Sequence, residues 1–259
     1  MDKQLHSLIN NKRVAIIGPA EYVCKELDEG HGKFIDSFDV VIRLNDMFHV
    51  PEDLQKFYGS KYDIISSSFW TRTNDDYKDK NVAWDKTRYC NEEDYNNLNE
   101  GTILLECFAR NEFSIIYDKF KETIDKKKLI YGNLSQNLFS HIFNKLRTIY
   151  PIDKTPTTGF STIGMVLAMA PKEVYITGIT AYQETPYKCH FDGYNRINDE
   201  NKYYWPTNGY NGKTFNDASG IEHINTHHNF KGEAIIMKRL IECYVVKVDK
   251  YMDELFRSM

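Results

Sequence analysis

Short, nearly continuous apolar runs recur along this chain, separated by longer mixed segments. Arg13 to Ile17, Val40 to Leu44, Lys61 to Ser68, Gly101 to Phe108, Lys128 to Tyr131 and Glu173 to Thr177 read as strands. Apolar residues at consecutive rather than alternate positions mark strands covered on both faces, as in parallel sheets. Between them, a mixed segment to Gly30 after Gly18-Pro19-Ala20 reads as a helix opening, Leu138 to Tyr150 has helical spacing, Ala234 to about Tyr244 reads as an amphipathic helix, and a charged helix is predicted over Lys247 to Arg257. Residues before Arg13 read as a polar lead-in, and Pro151 to Pro156 as a linker. Alternating strands and helices predict an α/β fold with a mostly parallel sheet and helices on both faces.

The stretch TTGFSTIGMVLAMAPKEVYITGITAY, Thr157 to Tyr182, is the pivot of the pattern. Its uncharged run Ile163 to Ala170 reads as a buried helix, Pro171 closes it, and the strand Glu173 to Thr177 ends at Gly178. Thr157, Thr158 and Gly159 at the helix start present backbone N–H groups and hydroxyls that suit a phosphate or carboxylate. The same residues also suit an ordinary N-cap on a core helix. The first strand runs directly into Gly18-Pro19-Ala20, which places a glycine turn at a strand's carboxyl end, where open α/β sheets bind ligands. A G-x-G-x-x-G fingerprint is absent, which disfavours an ordinary dinucleotide fold.

At 259 residues the chain can bury a large single core, and its 41% hydrophobic and 27% charged residues fit a soluble globular protein. A net charge of −4, without a basic block, argues against nucleic acid as a partner. Five cysteines without a Cys-x-x-Cys pair suggest neither a disulfide framework nor a cysteine zinc site, which points to a reducing compartment. No apolar stretch approaches the roughly 20 residues of a membrane span. Residues 183 to 221 are rich in Tyr, Asn, Gly, Asp and Trp and read as a lid or acceptor-binding loop, with Tyr203, Tyr204, Trp205 and Tyr210 as its aromatic surface.

Several polar residues interrupt the apolar pattern. Arg43 lies inside the second strand, where a charge needs a carboxylate such as Asp36 or Asp39, or a ligand anion. Asn45 follows at that strand's end, with an amide that both donates and accepts. Histidines cluster at His190, His223, His227 and His228. His223 and His227 with Glu233 could hold zinc, although Ile-Asn-Thr between them is a poor helix. Alternatively, His228 acts as a base beside a helix start, with Glu233 about one turn along orienting it or the chain around it.

Taken together, VAIIGPAEY followed by GHGKFIDSFDVVIRLND, then TTGFSTIGMVLAMAPKEVYITGI, then His190-Phe191, then His228-x4-Glu233 resemble, in order, the large, small, third and very small motifs of the sialyltransferase family, the sialyl-motif glycosyltransferases of the family 29 type. The resemblance runs from about Val14 to Glu233 and is most specific in the large-motif segment. It implies a Rossmann-like sheet of the GT-A-variant sialyltransferase type over residues 1–259 as one glycosyltransferase domain. It also implies an inverting transfer of sialic acid from CMP-sialic acid to a sugar hydroxyl of a glycan acceptor in glycan biosynthesis. By that analogy Gly18, Asn45, Thr157, Thr158, Gly159 and Gly178 hold the CMP donor, His228 is the base, His190 supports the departing phosphate, and Arg43 and Glu233 are supporting residues.

No cofactor and no metal are implied, the CMP-sugar being a co-substrate; the absence of an Asp-x-Asp motif agrees. Pro19 stands where the family's large motif usually has Asn, and Val14 and Pro171 where animal members have a cysteine pair. The lost pair, with no membrane anchor, points to a cytoplasmic enzyme of microbial or viral origin. Another CMP-keto-sugar such as CMP-Kdo is an alternative donor, and a non-catalytic nucleotide- or carbohydrate-binding protein the alternative class.

Overall fold

The computed structural model describes residues 1–45, 47–48, 50–67, 95–96, 98–107, 115–183, 185–188, 191 and 228–259. Seven strands among them form one all-parallel sheet: β1 (Arg13–Ile17), β2 (Val40–Leu44), β3 (Ile64–Ser67), β4 (Ile103–Glu106), β5 (Ile130–Asn133), β6 (Glu173–Thr177) and β7 (Lys247–Val248), in the order β5-β4-β3-β2-β1-β6-β7. Val14 to Ile17 are fully buried, as a central strand covered on both faces requires. β1 is flanked by β2 in the register Ile17 to Arg43 and by β6 in the register Ile17 to Thr177.

The order explains where a site can form. From β1 to β5 the chain steps one way across the sheet; it then returns to the far side of β1 to lay down β6 and β7. Right-handed crossovers in opposite directions place their helices on opposite faces, so the sheet is covered on both. The two directions diverge between β1 and β6, the topological switch point, where the connections part and leave a crevice at the strands' carboxyl ends.

Helices α1 (Asp2–Ile9), α2 (Tyr22–Glu26), α3 (His31–Asp36), α4 (Gln55–Tyr58), α5 (Ile115–Lys126), α6 (Gln136–Ile149), α7 (Thr158–Ala168), α8 (Phe230–Glu242) and α9 (Lys250–Arg257), with a 3-10 turn at Glu52–Leu54 before α4, connect and flank the strands. The uncharged α7 has Gly159 through Val166 all buried, and Gly164 lets it approach α6: a Cβ there would lie 2.4 Å from Ile142 Cγ2. Ser66 and Thr162 share a buried 2.7 Å hydrogen bond that ties α7 to β3. On the opposite face His31, neutral by burial, joins its Nδ1 to the Phe57 carbonyl and its Nε2 to the Tyr175 hydroxyl, both at 2.8 Å.

Some boundaries differ from the sequence pattern for local reasons. The polar lead-in is the helix α1, anchored by the fully buried Leu5 and Ile9 on one side. β5 starts at Ile130 because Lys128 turns with φ 51° and Leu129 N–H closes onto the Ile124 carbonyl. The last helix starts later, since Lys247 and Val248 pair with β6 and Asp249 Oδ1 caps α9 by accepting from Met252 N–H at 2.9 Å.

A methyl group at either switch-point glycine would collide with backbone: 2.2 Å from the Gly178 oxygen if placed on Gly18, 2.1 Å from the Gly18 oxygen if placed on Gly178. Gly178 also has φ 74°. Gly178→Ala is expected to cost about 2–4 kcal/mol in urea unfolding, and more than Gly101→Ala, where the added carbon meets nothing and only φ is unfavourable. Equal costs would show that the close approach adds nothing.

Candidate functional site

Four of the residues expected to hold a donor surround the switch point. Gly18 N–H donates to the Thr177 carbonyl at 2.8 Å, Ala20 N–H to the Gly178 carbonyl at 3.2 Å, and Gly178 N–H to the Tyr22 hydroxyl at 2.7 Å. The amides of both glycines are therefore committed within the protein, and the pair acts by letting two turns touch. Asn45 ends β2 with φ 54°, its backbone N–H bonded to the Ser66 carbonyl at 2.8 Å. That left-handed conformation suits Asn, and its half-buried side-chain amide has no partner among the described residues. Gly159 brings the first turn of α7 down onto this edge, with an added Cβ lying 3.5 Å from Leu44 Cδ1 and 3.6 Å from Ile179 Cγ2.

Thr157 is the N-cap of α7 and accepts from Phe160 N–H at 3.4 Å. Its own donors are taken. The Thr157 N–H donates to Glu233 Oε1 at 2.7 Å and the hydroxyl to Glu233 Oε2 at 2.8 Å. Thr157 thus braces the helix start, while the amides of Thr158 and Gly159, which can have no intrahelical acceptor, are the ones left open. Glu233 is 1% exposed, and burial pushes its carboxyl up to about 8 against the opposing pull of the Thr157 amide and hydroxyl. When protonated, the carboxyl can donate to the Thr157 oxygen across the same separation, so both states keep the pair bonded.

The starts of α8 and α7 are joined through the extended segment 153–157. Asn229, the N-cap of α8, accepts from Gly232 N–H at 2.8 Å and donates to Asp153 Oδ1 at 3.1 Å. His228 lies beside it with Nδ1 2.8 Å from the Thr155 carbonyl. A carbonyl only accepts, so Nδ1 carries the proton and Nε2 is the basic nitrogen of the neutral ring. Glu233, expected to orient His228 or the chain around it, reaches Thr157 and so orients the chain. The ring of His228 lies 6.0 Å from that of Phe230, which packs at 4.5 Å on Tyr182, just past β6.

Arg43 differs from expectation. It is 1% exposed, and among the described residues no carboxylate comes within ion-pair distance. Its Nε donates to the Lys61 carbonyl at 3.1 Å and its Nη2 to the carbonyls of Tyr58 and Gly59 at 3.1 and 2.8 Å. Asp36 holds the same loop from its amide side, accepting from Ser60 N–H and Lys61 N–H, while Asp39 accepts from Arg13 N–H. Carbonyl dipoles replace the ion pair, and burial lowers the guanidinium to about 10. Arg43 therefore shapes the loop after α4.

His190, His223 and His227 lie outside the described residues, as does most of 183–221. Both oxygens of Glu233 are hydrogen-bonded to Thr157, and the two histidines that would complete a zinc set with it lie outside the described residues. Next to His190, Phe191 is buried with its N–H on the Pro19 carbonyl at 2.8 Å, and its ring lies 4.8 Å from that of Tyr58. Lys188 exchanges bonds with Glu21: Glu21 N–H donates to its carbonyl at 3.1 Å, and its own N–H donates to Glu21 Oε2 at 2.9 Å. The chain on both sides of His190 is thus tied to the turn after β1. Sequence reading missed Tyr22 and Asp249; Asp249 two residues before a helical Tyr-Met pair is an N-cap signal that was available.

No protein-family model and no curated protein matches the chain. Among solved structures it is similar to the crystal structure of a mammalian sialyltransferase, with a TM-score of 0.50 and 15% identity over 93% of this chain and 69% of that one. The likeness shows the fold: an all-parallel, Rossmann-like α/β sheet with helices that matches this neighbour's. No helix among the described residues is long and apolar enough to cross a membrane.

Glu233 gives the site a pH signature. Its ordinary value is near 4.5 and its folded value about 8, so between these the folded state binds more protons than the unfolded chain, and stability falls as pH rises through that window. Urea unfolding from pH 5 to 8 is expected to show a component of this loss, up to about 4 kcal/mol, that Glu233→Gln removes. Gln still offers one acceptor and one donor to Thr157, whereas Glu233→Ala is expected to cost about 2–4 kcal/mol throughout. An unchanged slope in the Gln variant would show that the burial of this carboxyl is not what sets it.

Proposed function

We propose that the protein is an inverting glycosyltransferase that moves sialic acid from CMP-sialic acid to a sugar hydroxyl of a glycan acceptor. The observation that carries this reading is the convergence of the Gly18 and Gly178 turns, Asn45 and the first turn of α7 at the switch point, with His228 fastened two residues before that turn. A fold hosts many chemistries, so the argument rests on what these groups can do together.

In this reading the open amides of Thr158 and Gly159 take the CMP phosphate, where the helix dipole favours negative charge. The Asn45 amide, able to donate and accept, fits the nucleotide. His228 receives the proton of the acceptor hydroxyl on Nε2 as the oxygen bonds to the anomeric carbon, and the bond from that carbon to the CMP phosphate oxygen breaks. Nδ1–H remains on the Thr155 carbonyl, which holds the ring in the tautomer that a base needs. The phosphate leaves as an anion already, so a hydrogen-bond donor such as His190 suffices to support it and no metal is required. A cytoplasmic setting belongs to the same reading, because Val14 in β1 and Pro171 before β6 cannot form a disulfide.

The test is incubation with CMP-sialic acid and lactose in EDTA, following CMP and sialylated product together, with CMP-Kdo as a second donor. Sialylated lactose in EDTA is the expected result; no turnover of either donor would contradict the reading. His228→Ala is expected to lower the transfer rate by about 10²–10⁴-fold while CMP affinity by calorimetry stays within about twofold. Asn45→Ala is expected to do the reverse, weakening CMP about tenfold with a smaller effect on the rate at saturation.

A further inference from the structure

The turn at Gly178 is held from a direction that the chemistry above does not use. The Tyr22 hydroxyl accepts the Gly178 N–H at 2.7 Å and donates to Asp249 Oδ2, also at 2.7 Å. The same carboxylate oxygen accepts from the Thr177 hydroxyl at 2.6 Å, and Oδ1 caps α9 through Met252 N–H at 2.9 Å. Tyr22 and Thr177 are fully buried and Asp249 is 6% exposed. The Tyr22 ring stacks on Tyr251 of α9, with centroids 4.3 Å apart and planes 20° from parallel. A helix near the carboxyl end of the chain is therefore wired through one phenol to the backbone of the switch-point turn.

From that turn the contact continues into the site. Gly178 is followed by Ile179, whose side chain occupies the space beside both Gly18 and Gly159: a Cβ built on Gly18 would lie 2.8 Å from Ile179 Cγ1, and one on Gly159 3.6 Å from Cγ2. The backbone of Gly178, whose N–H meets Tyr22 and whose carbonyl accepts from Ala20 N–H, thus sets where Ile179 stands between the turn after β1 and the first turn of α7. We propose that Tyr22, oriented by Asp249, is a positioning residue for the donor site: its bond to the Gly178 amide fixes the Ile179 wedge between the turn after β1 and the open amides of α7. The inference rests on the CMP-donor reading for its ligand and on the structure alone for the coupling.

Thr177 provides the comparison, because it bonds the same carboxylate but does not touch the Gly178 amide with its side chain. Tyr22→Phe removes the acceptor of that amide and a donor to Asp249; Thr177→Val removes a donor to Asp249 and leaves the acceptor of that amide in place. Both variants are expected to unfold at lower urea concentration. Measured well below unfolding, Tyr22→Phe is expected to raise the CMP dissociation constant about tenfold, and Thr177→Val to leave it within about twofold.

Dissociation constants that follow lost stability equally in both variants, or that change in neither, would overturn the proposal. If the wild-type protein binds no CMP, the donor reading fails, and amide exchange in the unliganded variants decides the coupling. Exchange at Gly178, Ile179 and Gly159 faster in Tyr22→Phe than in Thr177→Val supports it, and equal exchange overturns it. Should Tyr22→Phe not fold, Asp249→Glu, whose longer side chain displaces the carboxylate from its place at the Tyr22 hydroxyl while keeping its charge, is read in the same measurements with the same expected direction.

Discussion

Where β1 and β6 end, their backbones approach so closely that a single methyl group on either glycine would overlap the carbonyl of the other. This contact fixes the geometry of the switch point. With Gly18 and Gly178 touching, the outgoing chains must part, one toward α2 and one toward Ile179, and the first turn of α7 settles on Leu44 and Ile179. The crevice is a consequence of sheet order, but its shape follows from these two residues. Their amides are spent on holding the turns, so the groups open to a ligand belong to Asn45 and to the start of α7.

Around that contact, polar groups act at one remove. Glu233 holds Thr157 by two hydrogen bonds, Thr157 caps α7, and the cap leaves the next two amides open. Arg43 and Asp36 grip the loop after α4 from its carbonyl and amide sides. A buried guanidinium among carbonyls, and a buried carboxyl without a cation, are costly to assemble, and each is repeatedly hydrogen-bonded. His228 is half-buried, with Nδ1 anchored on the Thr155 carbonyl two residues before the cap of α7. In the proposed reading the open amides of α7 bind the anion and His228 takes the proton of the hydroxyl beside it.

Much of the fold was legible because parallel strands leave continuous apolar runs: β1, β2 and β6 lie where the sequence places them. The α7 to β6 unit was legible for the same reason, an uncharged helix bounded by Thr157 and Pro171. Elements with one buried face were harder. α1 shows only Leu5 and Ile9 as fully buried residues among polar neighbours, and β7 is two residues long. Gly18, Asn45, Gly159 and Gly178, named from the sequence, stand around one switch point, but the bonds that hold them were not legible. Glu233 meets Thr157 across 76 residues and Tyr22 meets Asp249 across 227, distances over which local pattern says nothing. Arg43 was read as needing a carboxylate because sequence cannot show that three carbonyls of one loop would face it.

In the proposed reading a nucleotide phosphate lies on the open amides of α7 at the switch point. The most direct measurement is a CMP titration of the ¹⁵N-labelled protein, following assigned amide resonances. Thr158 and Gly159 are expected to shift together and saturate with a single dissociation constant, along with the Asn45 side-chain amide. Saturable shifts confined to other parts of the sheet, with Thr158 and Gly159 unmoved, would contradict it.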